Sequence, residues 1–184
     1  MNVDRLREAA ITLRDAVGDE VRSRLVLPFD DEQERRNWMY WPAPRRGVPF
    51  SEMTSQQQEH AFAVVSAVLS IPAYAKVTTI IGLEEVLREL ELGGRRRRRP
   101  DALPRDPTKY YTTLFGDPSG DAPWGWRFEG HHVSVHVTVV DGEVASTPCF
   151  LGSNPAEVVH DDRVVVRPLA EEEDTARSLL EALP

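Results

Sequence analysis

The chain has 184 residues, 41% hydrophobic and 28% charged, with a net charge of -8. These values fit one soluble globular domain with a buried core, and the acidic balance argues against general nucleic-acid affinity. No apolar run approaches the ~20 residues that span a bilayer, no basic-then-apolar leader is visible, and the single cysteine, Cys149, has no intramolecular partner; the expectation is a cytoplasmic protein.

In chain order, Leu6, Ala10, Leu13, Val17, Val21 and Leu25 recur at helical spacing and predict a helix over 4–26, with Gly18 as the point where it splits. From 27 to 50 the periodicity vanishes into prolines, arginines and aromatics. A short strand at Asn37–Trp41 and an extended loop are expected there. Trp38, Tyr40 and Trp41, near Arg35, Arg36, Arg45 and Arg46, suit two roles equally. They clamp a planar or anionic ligand, or they cover a helical core with arginine stems packed over them.

Thr54 and Gln57 have the spacing of a capping box. Ala61, Val64, Val65, Val68 and Leu69 form the buried stripe of the helix that follows. Ser70 and Pro72 start the next helix, with Tyr74, Val77, Ile81, Val86, Leu87 and Leu90 inward. On that helix Glu84 and Arg88 read as an i,i+4 ion pair. Gly93 and Gly94 end it and open a Gly/Arg/Pro-rich loop over 93–108. The five arginines Arg95–Arg99 resemble a nucleic-acid or acidic-membrane patch. With no aromatics interleaved, they read as a solvated loop.

Tyr110–Phe115 has strand composition. A turn-rich connector leads to one long strand over 126–140. Asp141-Gly142 is a two-residue hairpin turn, and Glu143–Phe150 is the returning strand. Val164–Val166 and a helix over Glu171–Leu183 complete the chain. Helices precede strands, which predicts a single α+β domain over 1–184, its N-terminal helices packed on a mainly antiparallel sheet containing a long hairpin.

The chemistry concentrates in Trp124–Thr138, WGWRFEGHHVSVHVT, which holds three of the five histidines, a glutamate and two tryptophans. On a regular strand Val133, Val135, Val137 and Val139 share the core face, and His132, Ser134, His136 and Thr138 the other. Arg127, Glu129 and His131 then fall at the N-terminal end of the valine face, unless Gly130 forms a bulge that changes register. Residues two apart are separated by ~6.7 Å and residues four apart by ~13 Å. Glu129 and His131 are therefore the expected chelating pair, with His132 joining if the strand is bulged, whereas His132 and His136 are too far apart for one ion.

Glu129, His131 and His132 are the candidate ligands of a divalent transition metal, with zinc, iron and copper all suited to imidazole and carboxylate. Further ligands would come from His60, His160 or Asp161. The same three are candidate catalytic groups, and acid–base chemistry without metal, with Glu129 or Asp121 orienting a histidine, is the other route. The plain alternative is an ordinary polar outer face. Trp38, Arg46 and Trp126 are the candidate substrate-binding residues, although Trp126 also reads as core filling. Cys149 reads as an inert buried thiol. Ser–His–Asp, P-loop, GxGxxG, HExxH and CxxC patterns are absent from the sequence.

Four stretches carry a family resemblance: LPFDDEQERRNWMYWPAPRRGVPFSEMT, LEEVLRELE, RDPTKYYTTLFGDPSGDAPWGWRFEGHHVSVHVTVVDG and LGSNPAEV. Together they resemble the family catalogued as domain of unknown function 3500, over Leu27 to Leu183, most specifically at WGWRFEGHH. The resemblance adds weight to Glu129, His131 and His132. Family members carry asparagine or another polar residue near His136, which sets that histidine apart. They are also typically longer, with a second half bearing a further histidine strand motif. The resemblance thus implies the N-terminal half of a longer architecture. The function expected is a metal-dependent enzyme acting on a small substrate or peptide. The alternative is a non-catalytic binding or assembly protein, a truncated or split half-domain that forms a homo-oligomer or pairs with a missing second half.

Overall fold

The computed structural model describes residues 2–93 and 103–183. The arginine run Arg95–Arg99, and with it most of the expected 93–108 loop, lies outside the described residues. The predicted helix is split at Gly18, as expected, into helix α1 (Val3–Asp15) and helix α2 (Asp19–Leu25), with Gly18 as the extended N-cap residue of α2. Of the predicted stripe, Leu6, Ala10, Leu13, Val17 and Leu25 are buried and Val21 is partly buried against them. Strand β1 (Val26–Leu27), helix α3 (Glu32–Arg36), strand β2 (Val48–Pro49) and a 3-10 turn follow. Helix α4 (Ser55–Val68) opens with the capping box, in which Gln57 N–H donates to Thr54 Oγ1 at 3.3 Å and Thr54 N–H to Gln57 Oε1 at 2.9 Å. Helix α5 (Ile71–Leu92) starts at the Ser70 cap and Pro72.

The sheet consists of β3 (Tyr111–Phe115), β4 (Trp124–Gly130), β5 (Val133–Val140), β6 (Glu143–Ala145) and β7 (Cys149–Leu151) together with β1 and β2. Only the β1–β3 pair is parallel among these. This is the expected α+β architecture. A separate hairpin, β8 (Val158–His160) with β9 (Arg163–Val166), and helix α6 (Ala170–Ala182) complete the described elements. The sheet's first face presents Trp124, Trp126, Phe128, Leu114 and the four alternating valines of β5, all at most 2% exposed, to α1, α4 and α5. None of the described helices is long and apolar enough to cross a membrane.

Two strand expectations require correction. The stretch read as one strand over 126–140 is a hairpin: β4 and β5 pair antiparallel, Gly130 opposite Val133, with His131 and His132 as the intervening turn. His132 has φ +62°, a left-handed conformation that histidine tolerates better than β-branched residues do. The predicted Asp141-Gly142 turn is present, both residues at positive φ. Its return strand is interrupted over 146–148, where Pro148 has no N–H to offer a ladder. The second correction is Asn37–Trp41, which forms no strand. The backbone there is engaged by side chains of Glu129, Arg45 and Arg127 instead. Cys149, read as buried, is exposed.

Candidate functional site

The β4–β5 turn decides where the chemistry falls. Because the chain reverses at His131 and His132, Glu129 stands opposite Ser134 and Arg127 opposite His136. Arg127 and Glu129 therefore lie on the face opposite the valines, not at the end of the valine face. Residues 29–47 cross this second face as a strap. Asn37 O and Glu34 O accept from Arg127 Nη1 at 2.9 and 2.8 Å. Trp41 O, Ala43 O and Gly130 O accept from the Arg45 guanidinium at 2.6, 2.7 and 3.2 Å. Tyr40 O accepts from the His132 N–H at 2.7 Å. The strap itself is exposed to half-buried, and its polar backbone is engaged where it meets the sheet. Side chains and the turn engage it, and no strand forms.

Glu129 is the hub of this layer. Its Oε1 accepts from the Met39 N–H at 2.9 Å and the Ser134 hydroxyl at 2.8 Å, with His136 Nε2 at 3.0 Å. Its Oε2 lies 3.3 Å from Arg127 Nε and 3.7 Å from Arg45 Nε. Burial pushes this carboxyl up, but His136, Arg127 and the Met39 N–H together hold it below its ordinary range. Through Met39 and Arg45 Glu129 fastens the strap to the sheet, while Ser134, His136 and Arg127 fix the carboxylate within the sheet.

His131 has different company. Its Nδ1 lies 2.5 Å from Glu84 Oε1, on α5, and both side chains are buried. The Tyr110 hydroxyl donates to His131 O at 2.8 Å. Burial, then the nearby Glu84 charge, raises the Tyr110 pKa well above its ordinary value, so the phenol stays a donor. Gly130 makes room for that ring: a Cβ there would lie 2.2 Å from Tyr110 Cδ1. The His132 ring packs against His131 with centroids 4.0 Å apart. His131 is therefore fixed through its ring, its carbonyl and its ring face.

The expected Glu129–His131 pair is not formed; each finds a separate partner. Among the described residues no three His, Cys, Asp or Glu side chains are grouped to hold a metal ion. His160 is exposed beside Asp161 at 3.5 Å, and His60 sits on α4 among Arg5, Glu8 and Thr12. Asp121 is exposed; two carboxylates meet a histidine, Glu129 at His136 and Glu84 at His131. Arg46 is exposed and pairs with Asp31 at 2.9 Å. Trp38 is 41% exposed and stacks in an aromatic ledge with Tyr40 and Phe150. Trp126 is core, its Nε1–H donating to Thr112 Oγ1 at 2.8 Å. The structure does not bring Trp38, Arg46 and Trp126 together.

A pocket of about 230 Å³ opens beside the His131–Glu84 pair. Pro42, Ala43 and Pro44 of the strap form one wall, and Leu103 and Pro104 another. Asp106, Lys109, Tyr111 and Arg45 add its polar character. Glu84 is the participant that sequence reasoning missed. It was read as the partner of Arg88, which instead contacts Glu85 and Glu89. The usable signal was spacing: Val77, Ile81, Glu84 and Leu87 fall on one buried stripe. A carboxylate at such a position needs a polar partner.

With this geometry in hand, comparison with known proteins gives one match. The family model described as protein of unknown function (DUF3500) matches residues 1–184. The chain belongs to that family. No curated protein and no solved structure matches. The family's description names no reaction.

His132 offers a pH test of the turn. Burial first, then the charges of His131 and Arg105, lowers its pKa to about 4 from 6.5. The folded chain accepts this proton less readily than the unfolded chain. The associated stability is complete above about pH 6.5 and is lost as pH falls towards 4. A shift of that size corresponds to about 3 kcal/mol, which partial exposure screens to about 1–2 kcal/mol. Asparagine also tolerates a left-handed turn position. His132→Asn is expected to flatten the stability profile between pH 6.5 and 4 by that amount, read from urea midpoints. An unchanged slope would refute the assignment.

Proposed function

We propose that the pocket beside His131 is a small-molecule site in which His131, oriented by Glu84, transfers a proton. The observation that carries this reading is the 2.5 Å contact between His131 Nδ1 and Glu84 Oε1 at the edge of a concave, largely apolar pocket. A carboxylate that orients one ring nitrogen fixes the tautomer and leaves the other nitrogen to act on a ligand. Among the described residues, Nε2 of His131 has no protein hydrogen-bond partner. Proton transfer by His131 replaces ligation by Glu129, His131 and His132 as the preferred chemistry because their donors are directed apart. Glu129 then serves the site indirectly, by holding the strap that supplies the proline wall.

The test is a panel of small esters and carbon acids incubated with the protein in D2O and followed by NMR. Hydrolysis or solvent-deuterium incorporation is expected for at least one member, with rates about 10²–10⁴-fold lower in His131→Asn. Turnover equal in the variant, or none by the wild type, would remove the catalytic reading. Fragments that fill the pocket without reaction would point to the non-catalytic binding alternative.

A further inference from the structure

We infer that the site is bipartite and takes an uncharged molecule of two parts, an apolar end in the pocket beside His131 and a polar end in a second hollow across Tyr111. This rests on the reading of the pocket as a small-molecule site and names its substrate class. The second hollow, of about 350 Å³, is lined by Ser23, Arg24, Gly47 and Glu52 among others. Arg45 and Tyr111 line it too, and both also line the pocket beside His131.

The two spaces therefore share a wall and a floor. The wall is the strap, whose residues 42–45 face the first space and residues 45–47 the second. The floor is the half-buried Tyr111 of β3, which pairs with Glu129 of β4 on one side and with Pro49 of β2 on the other. The Arg45 guanidinium stands over the Tyr111 ring at 5.9 Å, and the carbonyls of Trp41, Ala43 and Gly130 hold it there. A molecule too long for the first pocket passes over this saddle into the second hollow.

The two ends differ in chemistry. Pro42, Ala43, Pro44, Leu103 and Pro104 offer no side-chain hydrogen bond to the first end, so that end is apolar. The same pocket is lined by two cations, Arg45 and Lys109, and two carboxylates, Glu84 and Asp106, so it favours no net charge. The second hollow is polar, and its charges are mutually matched: Arg24 pairs with Glu52, and Arg46 with Asp31 at 2.9 Å. Such groups hydrogen-bond a neutral polar ligand without selecting an ion. An apolar acyl group joined to a polar amine or alcohol portion has this form.

N-benzoylglycinamide is the probe of the whole form, with benzamide and N-acetylglycinamide as its apolar and polar halves. The readouts are the His131 Cε1–H resonance of protein labelled with ¹³C-histidine, assigned by its loss in His131→Asn, and the Gly47 amide in ¹⁵N-labelled protein. Benzamide is expected to shift His131 alone. N-benzoylglycinamide is expected to shift both and to bind at least about tenfold more tightly than either half, since its second contact comes without a second loss of overall freedom. Ser23→Phe, which fills the second hollow, is expected to cancel that gain. A whole probe that leaves Gly47 unmoved, or binds no more tightly than benzamide, would overturn the bipartite site while leaving the single pocket in place. A gain that persists in Ser23→Phe would do the same. If none of the three probes moves His131, the bipartite assignment fails; the D2O panel judges the pocket's chemistry separately.

Discussion

Glu129→Ala should destabilise the protein by about 3–5 kcal/mol, the cost of leaving buried charges without their partner. The side chain is 1% exposed and touches both Arg127 and Arg45, themselves 2% and 1% exposed. Alanine would also strand the Met39 N–H and remove the acceptor of the Ser134 hydroxyl. For a chain of this length the loss corresponds to a fall in Tm of about 6–20 °C. Glu129→Gln keeps an acceptor for Met39 and Ser134 but loses the charge, so a smaller loss is expected. Because the native carboxyl is held below its ordinary range, its contribution is present above the unfolded carboxyl's pKa and is lost as pH falls through the lower folded value. The glutamine variant should therefore show a flatter acid limb in urea unfolding. A loss below about 1 kcal/mol for the alanine variant would mean that the strap is held by other contacts.

Glu84→Ala separates two accounts of one residue by magnitude. An exposed helical ion pair of the kind its spacing with Arg88 suggests contributes about 0.2–0.5 kcal/mol. A buried carboxylate accepting from His131 contributes about 1.5–3 kcal/mol. Glu84 is 4% exposed, so urea unfolding of Glu84→Ala is expected to show a loss of about 2–3 kcal/mol. Arg88→Ala is expected to change stability by no more than about 0.5 kcal/mol. A small loss at Glu84 would return it to the surface role and remove the dyad.

Elements with strong local determinants were readable from the sequence. The α4 capping box, the Ser70 cap of α5, the Asp141-Gly142 turn and the alternating valines of β5 each depend on residues close together in the chain. The hairpin at Gly130 was not, because its turn lacks an asparagine or aspartate before a glycine. Its causes are remote: Tyr110 occupies the space that Gly130 leaves, Tyr40 O takes the His132 N–H, and His132 O accepts from the Gly152 N–H at 2.8 Å. With the turn placed, the whole register follows, and Glu129 moves from the side of His131 to that of His136. His131 stands out in the sequence as a candidate, but its partner lies 47 positions away. Strand spacing cannot supply such a contact. The inward stripe of α5 came close to supplying it, since Glu84 sits among its apolar positions.

The most direct measurement is the ¹⁵N spectrum of histidine-labelled protein at neutral pH, recorded for the wild type and for Glu84→Gln. Since an ionised carboxylate can only accept, the dyad requires the His131 proton on Nδ1, with a strongly deshielded signal that is lost in Glu84→Gln. A proton on Nε2 instead, with a spectrum indifferent to Glu84, would contradict the alignment from which the proposed chemistry is built.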